Sequence, residues 1–246
     1  MTAPFLECRQ VTRSFGAVRA LDGVDFIARP GEVTALVGDN GAGKSTLIKG
    51  IAGIHPFGSG ELRLGGEPRE ITDPRAAASA GVAVVYQDLA LADNLDVVGN
   101  LFLGRELTRG GSLDEIRMEE RCLELLESLA VTTLQSVRAP VATLSGGQRQ
   151  AIAVARAVMG DPSLVILDEP TAALGVPQTK QVLALVRRLA EQGRAVVLVT
   201  HNLEDLFRVA DRITVLRLGR NAGEFDVAAT TKQDVVHAIT SGGGPA

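Results

Sequence analysis

The run Val33–Val37 leads straight into Gly38-Asp39-Asn40-Gly41-Ala42-Gly43-Lys44-Ser45-Thr46, and a helical pattern continues from Lys44 to about Ala52. No other stretch restricts the fold as tightly. A short apolar strand, a glycine turn and a helix, in that order, form a βα unit whose strand needs parallel neighbours. The spacing matches G-x-x-x-x-G-K-[ST] in the strand-to-helix setting that gives the pattern physical sense. Its glycines let backbone N–H groups wrap around phosphates, and the helix N-terminus adds partial positive charge. Lys44 would reach the β- and γ-phosphates of a nucleotide, and the Ser45 hydroxyl would ligate Mg²⁺. Most of the 25 basic residues are arginine, so a lysine inside a motif carries weight.

The rest of the chain is compatible with such a unit. Residues 5–37 read as β-rich, with partial alternation at Val18, Ala20, Val24, Phe26, Val33, Ala35 and Val37. Turns are expected at Asp22-Gly23 and Pro30-Gly31. Residues 60–66 read as a short strand ending in a turn. Asp73-Pro74 is a helix start, with Asp as cap and Pro at the first helical position. Val82–Tyr86 is an apolar strand, after which residues 88–160 read as mostly helical. Within them, 113–130 places Ile116, Leu123, Leu126 and Ala130 on one face, and Glu119, Glu120, Glu124 and Glu127 largely on the other. Buried strands are expected at 164–167 and 195–200, a helix at 178–191, a hairpin over 213–227 and a helix over 232–239. Strands alternating with helices indicate a largely parallel α/β sheet covered on both faces, with the all-helical middle as an insertion.

Composition closes off several classes. The 246 residues are 46% hydrophobic and 22% charged, enough for a sizeable core and unlike a disordered chain. A net charge of −4 and 3% aromatic residues argue against general nucleic-acid binding, which needs basic surface and stacking platforms. Cys8 and Cys122 lie in no metal-like or redox-like spacing and read as small buried hydrophobes. The start MTAPFLECRQ has no charged n-region followed by an apolar stretch, so no secretory signal is expected. The longest apolar runs, such as 82–85 and 195–199, fall far short of the ~20 residues of a membrane-spanning helix. A cytosolic protein is expected, with any membrane link made through a partner.

Two further clusters carry chemistry. Leu164-Val165-Ile166-Leu167-Asp168-Glu169 puts two carboxylates at the end of a buried strand. Asp168 suits Mg²⁺ beside the phosphates. Glu169, one residue on and pointing to the other face of the strand end, suits polarisation of an attacking water. Leu144-Ser145-Gly146-Gly147-Gln148 is a second glycine turn opening a helix, without a lysine and without a preceding strand. Two phosphate-type helix starts but one set of hydrolytic groups suggest a composite site, completed by this turn from a second copy in a head-to-tail twofold dimer.

In this order the motifs resemble the nucleotide-binding domain of ABC transporters, over nearly the whole chain. The resemblance identifies Gly38–Thr46 (Gly38, Asp39, Asn40, Gly41, Ala42, Gly43, Lys44, Ser45, Thr46) as the Walker A loop and Gln87 as the Q-loop glutamine, which senses Mg²⁺ and γ-phosphate. It identifies Ser145, Gly146, Gly147 and Gln148 as the LSGGQ signature that meets ATP in trans. Asp168 is similar to the Walker B carboxylate, Glu169 to the catalytic base and His201 to the switch histidine that reaches γ-phosphate and water. Phe15 sits where the family stacks an aromatic on adenine, although core packing wants the same side chain.

The implied fold is α/β, a P-loop NTPase of ABC type. It has a RecA-like mixed-sheet core (1–87 and 161–240), an antiparallel β subdomain, an inserted helical signature subdomain (88–160) and a flexible tail (241–246). The implied cofactors are ATP and Mg²⁺, with Ser45, Gln87 and Asp168 toward the metal.

The resemblance also implies partners: transmembrane permease subunits, a second ATP-binding subunit in a homodimer, and indirectly a periplasmic or extracellular solute-binding protein. The place of action is the cytoplasmic face of a bacterial membrane. One departure stands out: Ala172-Ala173-Leu174-Gly175 ends in glycine where the family commonly has an aspartate that bridges subunits. The variant Thr171-Ala172-Ala173-Leu174-Gly175-Val176 resembles the ATPases of monosaccharide importers. Among Leu89, Leu91, Leu95, Val97, Val98, Leu101, Phe102 and Leu103, the resemblance places a groove for a permease helix, so some of these are expected at the surface. The alternative is a soluble, non-transport ABC ATPase.

Overall fold

The computed structural model describes residues 2–241. The flexible tail expected over 241–246 falls outside the described residues from Gly242 onward. In chain order the elements are β1 (Leu6–Phe15), β2 (Val18–Ala28), β3 (Val33–Val37), α1 (Lys44–Ile51), β4 (Ser59–Leu64), β5 (Glu67–Pro68), α2 (Pro74–Ser79) and β6 (Val82–Val85). Then come α3 (Val97–Phe102), the short strands β7 (Thr108–Arg109) and β8 (Ser112–Leu113), α4 (Glu115–Ser128) and α5 (Gly146–Val158). The chain closes with β9 (Leu164–Asp168), α6 (Val176–Glu191), β10 (Ala195–Val199), α7 (Leu203–Val209), β11 (Arg212–Arg217), β12 (Arg220–Asp226) and α8 (Lys232–Ser241).

A six-stranded sheet in the order β12-β11-β3-β10-β9-β6 forms the centre, and all its pairings are parallel except β11 with β12. A separate antiparallel sheet has the order β2-β1-β4-β5. The central strands are buried on both faces, so their residues sort by period two into two cores. Val33, Ala35, Val37, Val165, Leu167, Val196 and Leu198 point to the side covered by α5, α6, α7 and α8. Leu36, Leu164, Ile166, Ala195, Val197 and Val199 point to the side covered by α1 and the antiparallel sheet.

Helix starts follow local chemistry. Asp73 accepts from the N–H groups of Arg75 and Ala76 and caps α2, with Pro74 at its first position, as the sequence indicates. Asp114 caps α4 through Arg117 N–H, and Asn202 caps α7 through Glu204 and Asp205. Both thiols are buried and free.

Three expectations are corrected. Asp22-Gly23 is not a turn but an irregularity inside β2; the reversal between β1 and β2 is at Gly16-Ala17. The positive φ of Gly23, +69°, serves a bulge, and Asp22 N–H donates instead to Gly219 O across to the β11–β12 turn. Residues 88–160 are not all helical, because β7 and β8 form a hairpin at 108–113. And α4 turns a different face inward: Met118, Cys122 and Leu126 are buried, while Ile116 and Leu123 are 75% and 50% exposed.

Candidate active site

The loop 38–43 closes because glycine stands where nothing else fits. A Cβ on Gly38 (φ +150°) would lie 2.2 Å from Leu216 O, and one on Gly43 (φ +106°) 2.8 Å from Ala20 O. Gly43 caps α1 without any side-chain hydrogen bond, so the first-turn N–H groups of α1 have no side-chain partner at this cap. That is an anion site by construction, with Asp39, Asn40 and Gly41 exposed at its rim and Ala42 packed inward. The Lys44 ammonium curls over the loop and donates to Gly38 O (2.7 Å) and Asp39 O (3.0 Å). Burial pushes its pKa down, and Glu169, Asp39 and Asp168 oppose that shift. Ser45 and Thr46 follow in the first turn of α1.

Asp168 ends β9, half-buried and paired in register with Val199 of β10. Burial raises its carboxyl above the usual range, Glu169 raises it further, and Lys44 and Lys49 pull it back. Glu169 lies past the strand end with φ +51°, so a left-handed backbone, and not strand alternation, aims its side chain. Its N–H donates to Val199 O and its C=O accepts from Ala172, which holds the strained residue. Its Oε1 lies 2.9 Å from His201 Nδ1; Glu169 is 18% exposed and His201 76%. His201 stands just beyond β10 and before Asn202, the cap of α7. The register Val85↔Leu167 sets Gln87, exposed, beside the same strand ends. Thus Lys44, Asp168, Glu169, His201 and Gln87 collect at the C-terminal ends of β3, β9, β10 and β6, where open parallel sheets bind ligands.

Phe15 is 42% exposed at the end of β1, edge-on to His55 at 5.4 Å, with the Arg13 guanidinium 5.0 Å over its ring. One face of the platform is therefore taken by a cation.

The signature turn lies apart. Ser145 Oγ accepts from Gln148 N–H, Gln148 Oε1 accepts from Ser145 N–H, and Gln148 Nε2 donates to Thr133 O. A Cβ on Gly146 would meet Leu174 at 3.0 Å, and one on Gly147 would meet Gln178 at 2.9 Å. Glycine at 147 thus lets α5 press against α6. Among the described residues no hydrogen bond or ion pair joins this turn to 38–46. Gly175 has ordinary backbone angles (φ −73°), so no conformational need keeps glycine there.

Of the apolar stretch after Gln87, Val97, Val98, Leu101 and Phe102 are core, and Leu103 alone is largely exposed, at 51%. A groove of about 500 Å³ does lie nearby, but it is lined by Ala77, Val84, Leu89, Arg105, Ala153 and Arg156. Of the eight apolar residues expected there, only Leu89 lines it, beside Asp88 and Ala90. The helix α7, which follows His201, carries its own local signal in the cap Asn202 ahead of Glu204 and Asp205.

A glycine loop on an uncapped helix, facing paired carboxylates at neighbouring strand ends, defines a nucleotide-hydrolysing P-loop protein. The model of the family described as ABC transporter matches residues 21–172. The chain is 43% identical to the fructose import ATP-binding protein FrcA of Rhizobium meliloti, over 96% of this chain and 94% of that protein. It is 44% identical to the xylose/arabinose import ATP-binding protein XylG of Sulfolobus acidocaldarius, with the same coverages. Among solved structures, the dimeric post-hydrolysis state of the ATP-binding cassette MJ0796 with ADP and Pi matches at TM-score 0.74 and 27% identity, over 90% of this chain and 98% of that one. The chain belongs to the ABC transporter family, as one of its ATP-binding ATPase cassettes.

Proposed function

We propose that this chain hydrolyses ATP to power uptake of a monosaccharide through a partner membrane permease. The observation that carries it is the convergence of Lys44, Asp168, Glu169 and His201 at adjacent strand ends, with a signature turn whose side-chain hydrogen bonds stay within itself and to Thr133. Relatives named for fructose and xylose/arabinose import favour transport over a soluble, non-transport ATPase. Among the described residues no helix is long and apolar enough to cross a membrane. The import names of the relatives favour a separate permease as the membrane part. The groove beside Leu89 and Arg156 is its docking place, on the cytoplasmic face, and a solute-binding protein outside delivers the sugar.

The triphosphate lies on loop 38–46, where its oxygens take the Lys44 donors now satisfied by Gly38 O and Asp39 O. The donor set fits Mg²⁺: a hydroxyl at Ser45, an amide at Gln87 and a half-buried carboxylate at Asp168, whose charge Lys44 and Lys49 offset only in part against burial and Glu169. No cage of three or more His, Cys, Asp or Glu gathers among the described residues, and Mg²⁺ commonly needs only one or two carboxylates plus phosphates. Bound there, Mg²⁺ would neutralise charge on the β- and γ-phosphate oxygens. Glu169 takes a proton from water as the water oxygen attacks the γ-phosphorus in line and the bond to the bridging oxygen breaks. His201 holds Glu169 and the water in place. Ser145–Gln148 of a second copy covers the γ-phosphate, so hydrolysis opens the dimer and moves 88–160 with the permease.

The test is purification of the native protein from detergent-solubilised membranes. A co-purifying multi-span membrane protein supports transport, and ribosomes or DNA in its place overturn it. Growth of a deletion strain separates the solute: failure on an amino acid or peptide with normal growth on monosaccharides overturns sugar import.

A further inference from the structure

The segment after Gln87 has no regular secondary structure until α3, yet two side chains fasten it. Asn100, fully buried, accepts from Ala92 N–H and donates to Ala92 O, with further bonds to Leu95 O and Asp96 O. Arg156, on α5, donates to Leu89 O at 2.6 Å and to Ala90 O at 2.7 Å, across 67 and 66 residues of chain. Ala90, whose carbonyl takes one of these bonds, has φ +47°, a backbone conformation that costs a non-glycine residue some strain. From Leu89 onward, then, the segment is fastened to α3 and α5. Before it, β6 is fixed to β9 through Val85↔Leu167. Only Tyr86, Gln87 and Asp88 lie between the two attachments.

Arg156 is unusual in its setting. It is half-buried, no carboxylate pairs with it among the described residues, and Arg105 repels it; burial and that repulsion lower its pKa. Two backbone carbonyls are what offset its desolvation. It sits eleven positions beyond Ser145, the N-cap of the same helix, a rigid arm of about 16 Å. Leu89, Ala90 and Arg156 also line the groove.

We propose that Arg156 is a positioning residue that makes the segment behind Gln87 and the signature helix α5 move as one body, so that displacement of the groove or of the signature turn is delivered to Gln87. This rests on the assignment of Gln87 to the hydrolytic site. Arg156 touches neither nucleotide nor water; it acts through the loop.

The test uses the full chain and its ATPase activity. Arg156→Met keeps the apolar stem and removes both donors. The expected result is a kcat lowered about tenfold or more with the KM for ATP changed by less than about twofold, because binding residues are untouched. Arg156→Lys, which holds one carbonyl at a time, should fall between the two. In a Gln87→Ala background, Arg156→Met should lower kcat by less than about twofold further, since both changes break one linkage. A purely structural role would lower Tm and multiply with Gln87→Ala, and multiplication overturns the proposal. So does a wild-type kcat, or a change confined to KM. If Arg156→Met fails to fold, Arg156→Lys in both backgrounds decides by the same criteria. Unchanged kcat in Gln87→Ala alone overturns the role of Gln87 and the proposal with it; a crippled Gln87→Ala beside a fully active Arg156→Met overturns the tie alone.

Discussion

Replacing Glu169 by glutamine exchanges one carboxylate oxygen for an NH₂ group and leaves the shape unchanged. The backbone stays as it is, because glutamine meets the same cost as glutamate at φ +51°. The contact with His201, 2.9 Å in the native protein, survives through the amide. Its charge matters little for stability: the histidine is 76% exposed, and such a screened pair contributes at most about 1 kcal/mol. The chemistry is another matter. An amide cannot accept the proton of the attacking water, and loss of a positioned base costs about 10²–10⁴ in rate. At about 1.4 kcal/mol per decade, that raises the barrier by roughly 3–5 kcal/mol. On the proposed assignment Lys44, Ser45 and Asp168 still hold MgATP in this variant, so ATP should remain at both composite sites and the dimer should accumulate. Size-exclusion chromatography of Glu169→Gln with and without ATP, beside steady-state hydrolysis, reads both effects. A monomer in both runs together with wild-type turnover refutes Glu169 as the base and the ATP-bridged dimer with it. A monomer with turnover lost counts against a stable ATP-bridged dimer alone, which the glycine at 175 would weaken.

Lys44→Ala should abolish tight binding of MgATP, since it removes the ammonium that curls over the loop; unchanged affinity in a fluorescence titration would contradict the phosphate-loop assignment. Ser145→Arg should leave binding by the monomer nearly intact and stop hydrolysis, while the lost cap of α5 lowers stability by about 1 kcal/mol. Failure of ATP binding in that variant, with the fold intact by circular dichroism, would place the signature turn in its own chain's site. Burial pushes the Cys122 thiol up to about 12 and the Cys8 thiol higher still. Because the thiolate is the nucleophile, neither should react with a thiol reagent at about pH 8 until denaturant unfolds the chain; rapid labelling of the native protein would refute their burial.

What could be read along the chain was what depends on near neighbours. The glycine loop into α1, the Asp73-Pro74 start of α2, the paired acids closing β9 and the Ser145–Gln148 box are each set by residues within a few positions of one another, so their spacing alone specifies them. Where a local signal had two uses, the sequence could not choose. Asp22-Gly23 offers a positive φ equally to a turn and to a bulge, and packing of β2 on the β11–β12 turn selected the bulge. On α4 apolar residues occur around much of the helix, and contact with α3 selected Met118, Cys122 and Leu126 over Ile116 and Leu123.

The strand order lies beyond any spacing rule. It places β10 between β3 and β9 and so brings Lys44, Glu169 and His201 to one edge. Only the folded chain shows Arg156 holding Leu89 and Ala90, or Arg13 covering one face of Phe15. Hydrogen bonds and packing between distant segments depend on how layers dock, and that is decided by the summed burial of both sheet faces, which no single stretch of sequence contains.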